Sequence, residues 1–202
     1  SLGSVTNCIP AAADEIRAAE SQCDAYEDIL GTYLIKVSSS KLSQAESEEA
    51  TMLLKVIGDY ERISDHAVNI LESAEELRDK KLSLSEEALK EYKTLAKAID
   101  EILTLSETAF VRADTQMAAN VEPLEQVVDY MKDRFRTNHI LRMQKKQCSV
   151  EVGFVWSDLL TNLERVSDHC SNIAGCVIDN AEHNLNLHET LKKARDDSEQ
   201  YQ

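Results

Sequence analysis

Two stretches of the chain carry the same acidic motif. Residues 58–71 read GDYERISDHAVNIL, and residues 161–174, 103 positions later, read TNLERVSDHCSNIA. The shared E-R-[IV]-S-D-H places Glu61 four residues before Asp65, and Glu164 four residues before Asp168. Side chains at this spacing lie one above the other on a helix. Each motif therefore predicts two neighbouring carboxylates, which repel one another unless a cation lies between them.

A weaker acidic repeat lies one predicted helix earlier in each half. Asp24 and Asp28 have the form D-x-x-x-D, and Glu125 and Asp129 have the form E-x-x-x-D, 101 positions later. The two offsets agree within two residues, which indicates an internal duplication. The sequence thus predicts four acidic pairs as metal ligands: Asp24, Asp28, Glu61, Asp65, Glu125, Asp129, Glu164 and Asp168.

Carboxylate oxygens are the ligands of hard divalent or trivalent cations. A set made only of carboxylates excludes a tetrahedral thiolate zinc site, but allows Fe, Mn, Mg, Ca, Zn or Ni. On a helical wheel the acids point away from the apolar stripes, so the predicted sites are shallow and lie on the outer face of each bundle. Two alternatives stay open: the pairs could be solvated surface, and His66 and His169 could be ligands or hydrogen-bond partners.

The elements that must position these acids are long helices. The chain has 202 residues with only 5 Gly and 2 Pro, which is typical of helices and excludes a turn-rich sandwich or barrel. We expect six helices, near residues 10–37, 43–78, 85–112, 114–145, 150–181 and from 186 or 187 onward. Ser43, Ser83 or Ser85, and Asp114 are the candidate N-caps. Pro123 predicts a kink or a late start of the fourth helix.

Apolar residues at three- and four-residue spacing define the predicted core faces. In the first helix they are Tyr26, Ile29, Leu30, Tyr33, Leu34 and Val37. In the fifth helix they are Val152, Val155, Trp156, Leu159, Leu163, Val166, Cys170, Ile173 and Val177. With short connections, neighbouring helices pack antiparallel. The predicted fold is all-α, with two tandem antiparallel three-helix bundles spanning residues 1–113 and 114–202.

Charge and motif content narrow the function classes. The formal net charge of −15 would repel a phosphate backbone, so nucleic acid is not expected as a partner. A di-metal carboxylate enzyme would use E-x-x-H motifs in a bundle core, and none of the five histidines follows a Glu at that spacing. We therefore predict a protein that is not an enzyme. Five cysteines without a C-x-x-C pair indicate a reducing compartment.

The duplicated E-R-[IV]-S-D-H motif, with N-I shortly after it, resembles the PhoU family over almost the whole chain. The resemblance implies two tandem three-helix bundles, each with two E(D)-x-x-x-D motifs that bind a metal cluster on the surface. It favours an iron cluster, with Mn, Mg, Zn or Ni as alternatives. Asp24 departs from the family pattern, which has Glu at that position.

A closer resemblance is to the cytoplasmic PhoU-like domain of bacterial sodium/phosphate cotransporters. It is carried by LGTYLIKVSS, IGDYERISDHAVNILESAEE and GFVWSDLLTNLERVSDHCSNIA. It implies a metal-binding regulatory domain in phosphate uptake and homeostasis, located in the cytoplasm at the inner membrane face behind a missing N-terminal transporter segment. The implied partner is a membrane phosphate transporter, in cis or in a complex, and a homodimer is compatible with it. The alternative is a free-standing PhoU-type negative regulator of the phosphate ABC transporter and a sensor kinase.

Overall fold

The computed structural model describes residues 1–5 and 10–199, with the backbone alone for Pro10 and residues 184–199. Its helices are α1 (Pro10–Ser38), α2 (Gln44–Asp79), α3 (Glu86–Arg112), α4 (Thr115–Ala118), α5 (Val121–Gln144) and α6 (Val150–Glu199). Within these ranges the chain forms helices and turns but no strand, which confirms the all-helical prediction.

The helix starts follow the predicted capping chemistry. Ser43 and Glu46 form a reciprocal capping box at the start of α2, in which the Glu46 carboxylate accepts from the Ser43 backbone N–H at 2.8 Å. Ser85, rather than Ser83, caps α3. Asp114 accepts from the Met117 backbone N–H at 2.9 Å, but it caps only the four-residue α4, because the helix expected near residues 114–145 is divided into α4 and α5. Pro123 lies in the first turn of α5, where a backbone N–H has no partner within the helix.

The central element of the fold is α6, which contacts α2, α3, α4 and α5. All nine predicted stripe residues between Val152 and Val177 are buried, and Leu159, Leu163 and Ile173 have no exposed surface. Helix α1 packs on α2, whereas α3 packs on α5 and α6. The two sequence halves therefore share packed helices, and the domain boundary between residues 113 and 114 stays a prediction.

The end of the chain differs from the expectation. Helix α6 continues to Glu199, so the separate last helix expected from Asn186 or Leu187 does not form. The reason lies in the sequence, because no Gly or Pro occurs between residues 181 and 199 to end the helix. The side chains of residues 184–199, and all of residues 200–202, lie outside the described part. None of the described helices has both the length and the apolar character needed to cross a membrane.

The predicted core face of α1 is also wrong, because most of it is exposed. Tyr26, Ile29 and Tyr33 are 62–63% exposed, and only Leu34 of the predicted stripe is buried. Within the described residues α1 packs on α2 alone, so only one of its faces can be covered. That face contains the buried Ala13 as well as Leu34.

Two isoleucines test this packing. Ile173→Ala in α6 removes a fully buried side chain, whereas Ile29→Ala in α1 changes a largely exposed one. We expect Ile173→Ala to lower the free energy of unfolding by about 2–5 kcal/mol. We expect Ile29→Ala to change it by less than about 0.5 kcal/mol. Urea denaturation of both variants measures the difference, and equal losses would show that the α1 face is covered in solution.

Candidate metal centres

The structure brings carboxylates together in two clusters, each built from two helices. In each cluster three residues offer carboxylate oxygens that lie within 4.8 Å of one another. The first cluster, between α1 and α2, consists of Glu20, Asp24 and Asp65. The second cluster, between α5 and α6, consists of Glu125, Asp129 and Asp168. Five of these six residues were predicted as ligands from the sequence.

Glu20 is the member that sequence reasoning missed. Glu20 and Asp24 have the same E-x-x-x-D form as Glu125 and Asp129. The second pair follows the first by 105 positions. Asp24 and Asp28 align with the second pair as well, at an offset of 101, which is the alignment predicted from the sequence. Both offsets lie two residues from the main repeat of 103, so spacing alone could not choose between them. The identity of the first acid, Glu in both halves, could have done so.

Asp28 lies four residues beyond Asp24, about 6 Å further along the axis of α1. It is exposed and does not belong to the three-carboxylate group among the described residues. Its counterpart at 105 positions is Asp133, which is exposed as well. Asp28 as a metal ligand therefore stays a prediction.

Glu61 and Glu164, the first acids of the duplicated motif, lie beside the clusters and have ionic partners. Glu164 pairs with Lys132 at 2.6 Å, and both side chains are largely buried. Burial, followed by the charge of Asp65, raises the pKa of Glu61. Arg62 pairs with Glu61 and also contacts Asp65, at 3.5 Å. In the second half Arg165 contacts the equivalent Asp168, at 3.2 Å. The two arginines offset part of the negative charge.

The second cluster holds its negative charge at an electrostatic cost. Burial raises the pKa of Glu125, and the charges of Asp129, Glu122 and Asp168 raise it further. Burial, followed by the charge of Glu164, also raises the pKa of Asp168, although Arg165 opposes the shift. Each carboxyl thus loses its proton less readily than it would in water. A bound cation would relieve this repulsion.

The two clusters differ in their surroundings. Lys132 neutralises Glu164 in the second half, but the residue 105 positions before Lys132 is Glu27. Glu27 lines an open pocket of about 650 Å³ together with Glu61, Asp59 and Lys55. The two halves therefore differ in charge at this position, with an acid in the first half where the second has Lys132.

The motif histidines bind across the α2–α6 interface. His66 Nδ1 lies 2.9 Å from Asn162 Oδ1, and His169 Nδ1 lies 2.8 Å from Asp59 Oδ1. The rings stack on one another with centroids 5.7 Å apart. Asp59 and Asn162 are themselves 103 positions apart. Each motif histidine therefore pairs with the same repeat position in the other half. This arrangement favours the hydrogen-bonding role that the sequence left open for these residues.

The chemistry of the donors fits a hard cation. Both clusters offer carboxylate oxygens from partly exposed side chains, so an ion could reach them from solvent. Each cluster takes two acids from one helix and one from its neighbour, so a bound ion would hold α1 to α2, or α5 to α6.

Comparison with known families decides the relationship. The model of the PhoU domain matches residues 4–74 and 92–177, together well over half of the chain. The chain belongs to the PhoU family. The match in two segments agrees with the duplication seen in the motifs, and it confirms the repeated helical fold predicted for this chain.

Curated relatives include two PhoU homologues. Phosphate-specific transport system accessory protein PhoU homolog 1 of Thermotoga maritima is 31% identical over 147 residues, which are 73% of this chain. The match spans 62% of the length of that protein, somewhat less than two thirds. The PhoU homolog of Deinococcus radiodurans is 23% identical over 86% of this chain and 85% of its own length.

Solved structures show the same fold. PhoU from Pseudomonas aeruginosa superposes with a TM-score of 0.84 at 19% identity, covering 90% of this chain and 87% of that one. The phosphate transport system regulatory protein PhoU from Streptococcus pneumoniae gives a TM-score of 0.72 at 18% identity, with coverages of 89% and 87%.

The raised pKa of Glu125 gives a prediction for the protein in EDTA. Because the native state holds this proton to higher pH than the unfolded chain does, the ionised carboxylate destabilises the native state above the raised pKa. We expect Glu125→Gln to raise the free energy of unfolding at pH 7 by up to about 0.5 kcal/mol. The gain should vanish as the pH falls below about 4, where both states are protonated.

Urea denaturation between about pH 3 and pH 8 measures this effect. The control is Glu101→Gln, which changes an exposed carboxylate on α3 and should leave the stability unaltered across this range. A loss of stability in Glu125→Gln at pH 7 would contradict the repulsion described for the second cluster.

Proposed function

We propose that this chain is a PhoU-type regulator of phosphate transport whose two carboxylate clusters bind cations. The observation that carries the proposal is the duplicated arrangement, in which each half contributes two acids of one helix and one acid of the next. Membership of the PhoU family supplies the process in which such a protein acts. Equivalent positions in both halves of the duplication carry these carboxylates, which supports a shared role for them.

The named relatives favour one of the two functional hypotheses from the sequence. They are accessory or regulatory proteins of phosphate transport systems. This supports the alternative, a PhoU-type regulator, better than a domain linked to a sodium-dependent transporter. The proposed partner is accordingly a membrane phosphate transport system. The descriptions of these relatives as accessory proteins also support a regulatory rather than an enzymatic role.

The proposed ligands are the three carboxylates of each cluster. Glu20, Asp24 and Asp65 would hold an ion in the first half, and the equivalent acids of α5 and α6 would hold one in the second. Hard ions such as iron, manganese or magnesium suit these oxygen donors. The ion would supply positive charge that offsets the repulsion between the carboxylates, and its hydration state would depend on the remaining coordination positions.

Regulation would follow from the helices that the clusters connect. Asp65 on α2 is joined through the first cluster to α1, whose exposed side carries Tyr26, Ile29 and Tyr33. Without a cation, like charges push α1 and α2 apart, and with one they are held together. A partner that binds only one of these arrangements would then respond to the cation through a shift in population.

Thermal denaturation with and without Mn²⁺ tests the clusters and the identity of their ligands. A cation that binds the native state raises the melting temperature in a concentration-dependent way. We expect Mn²⁺ to stabilise the wild type, and we expect Glu20→Gln and Asp65→Asn each to reduce the gain. Asp28→Asn is the matched control, since it removes an acid from the same helix outside the cluster.

The outcomes of this experiment separate the alternatives. A loss of the Mn²⁺ effect in Asp28→Asn but not in Glu20→Gln would favour Asp24 and Asp28, rather than Glu20 and Asp24, as the pair that binds the ion. Melting temperatures that ignore Mn²⁺, Mg²⁺ and EDTA in the wild type would identify the clusters as solvated surface and remove cation binding from the proposal.

Phosphate uptake tests the biological role. Cells lacking the gene are complemented with the wild type or with Glu20→Gln, Asp65→Asn, Glu125→Gln and Asp168→Asn combined, and the uptake of labelled phosphate is measured. We expect deletion and the four-fold variant to release the restraint on uptake in phosphate-rich medium. The reason is that both remove the cation-held arrangement of the helices.

The control for uptake is Asp28→Asn combined with Asp133→Asn, which changes equivalent acids outside both clusters. This variant should behave as the wild type. Uptake that is the same in the deletion strain and in the wild type would rule out the proposed role in transport, whatever the cation binding shows.

A further inference from the structure

A cysteine and a histidine meet where α5 passes into α6, in a part of the fold that the carboxylate clusters do not use. Cys148, in the connection between the two helices, places its Sγ 3.8 Å from Nε2 of His139 on α5. The His139 side chain is buried, with 3% of its surface exposed, whereas Cys148 is partly exposed. The thiol therefore lies between solvent and a buried imidazole.

A third potential ligand converges on the same place. A Cβ atom at Gly153, at the start of α6, would lie 3.0 Å from His139 Nε2 and 3.1 Å from Met143 Sδ. Glycine at this position thus lets the imidazole nitrogen and the thioether sulfur approach the same point of the α6 backbone. Those two atoms, together with the Cys148 thiol, are the kinds of donor that bind soft metal ions.

The imidazole of His139 lacks ordinary hydrogen-bond partners. Among the described residues its Nδ1 has none, and the sulfur of Cys148 is the polar atom near Nε2. Burial, assisted by the charge of Arg142, lowers the pKa of His139 and so disfavours the protonated ring. Since Nε2 faces the Cys148 sulfur, its lone pair is the one that an ion bound beside this thiol would use.

The surroundings fix the ring without competing for the donors. His139 stacks against Trp156 with centroids 6.2 Å apart, and Arg142 lies over the same indole at 5.9 Å. The charge of Arg142 is balanced by Glu91 at 2.8 Å, which also accepts from Asn138. Because Arg142 is paired with Glu91, it does not compete for the Cys148 thiol or the His139 imidazole, and both stay available as ligands.

We propose that Cys148, His139 and Met143 form a binding site for a soft metal ion, Cu(I). With bonds of about 2.0 Å to nitrogen and about 2.3 Å to sulfur, the observed separation of 3.8 Å corresponds to an angle of about 120° at the metal. Thiolate, thioether and imidazole ligands together select Cu(I) over the hard cations that suit carboxylates. Cys148 binds as a thiolate, so binding releases the thiol proton to solvent.

Competition for Cu(I) under anaerobic, reducing conditions tests the proposal. The full chain is titrated into Cu(I) held by bicinchoninate, and the loss of the coloured complex reports transfer. We expect the wild type to take Cu(I), and we expect Cys148→Ser to weaken binding by more than about 100-fold. This is more than the roughly 10- to 100-fold that substitutions next to a metal ligand cause. Met143→Leu, which conserves volume, should also weaken binding while preserving the fold.

Cys23→Ser on α1 is the matched control, because Cys23 is another partly exposed thiol far along the chain from this site. It should bind Cu(I) as the wild type does. Circular dichroism and the melting temperature of each apo variant separate loss of a ligand from loss of the fold. Equal Cu(I) affinity of the folded Cys148→Ser and Met143→Leu variants and the wild type would overturn the proposal, as would a wild type that takes no Cu(I) from the chelator.

Discussion

Burial of the apolar stripe of α6 is the interaction on which the rest of the structure depends. This helix contacts four others, and its side chains from Val152 to Val177 form the centre of the core. Because α2 and α5 are held against it, their acidic residues occupy fixed positions at the surface. Helix α1 is the exception, since it is held to the remainder through α2. It is also the helix whose position would respond most to the charge of the first cluster.

The carboxylate clusters oppose this packing energy. Folding places Glu125 and Asp168 in positions where burial and neighbouring acids raise their pKa values. Such an arrangement persists because the core stabilises it from elsewhere, which is common for functional sites. Lys132 in the second half and Glu27 at the equivalent position of the first give the two sites different charge. The duplicated sites would therefore differ in cation affinity while sharing the same geometry.

The two kinds of proposed metal site separate by donor chemistry and by place. The acidic clusters join neighbouring helices with oxygen donors on the surface. The group around His139 lies at the junction of α5 and α6 and offers nitrogen and sulfur donors beside a buried ring. Hard and soft cations would accordingly bind without displacing one another.

The sequence by itself determined the helical class of the fold, the extents of α1, α2 and α3, the start of α6 and five of the six clustered acids. Capping residues, the scarcity of Gly and Pro and the spacing of apolar residues are local properties, so they can be read without the fold. What only the tertiary structure decided is which faces meet. The apolar residues of α1 have helical spacing, yet Tyr26 and Ile29 are exposed because that helix packs on α2 alone. Glu20 lies beside Asp24 and Asp65 because packing sets the register of α1 against α2. The repeat offsets of 101 and 105 are equally far from 103, so the sequence could not reveal that register. Likewise, the approach of His139 to Cys148 depends on how the chain turns between two helices and on the space left at Gly153.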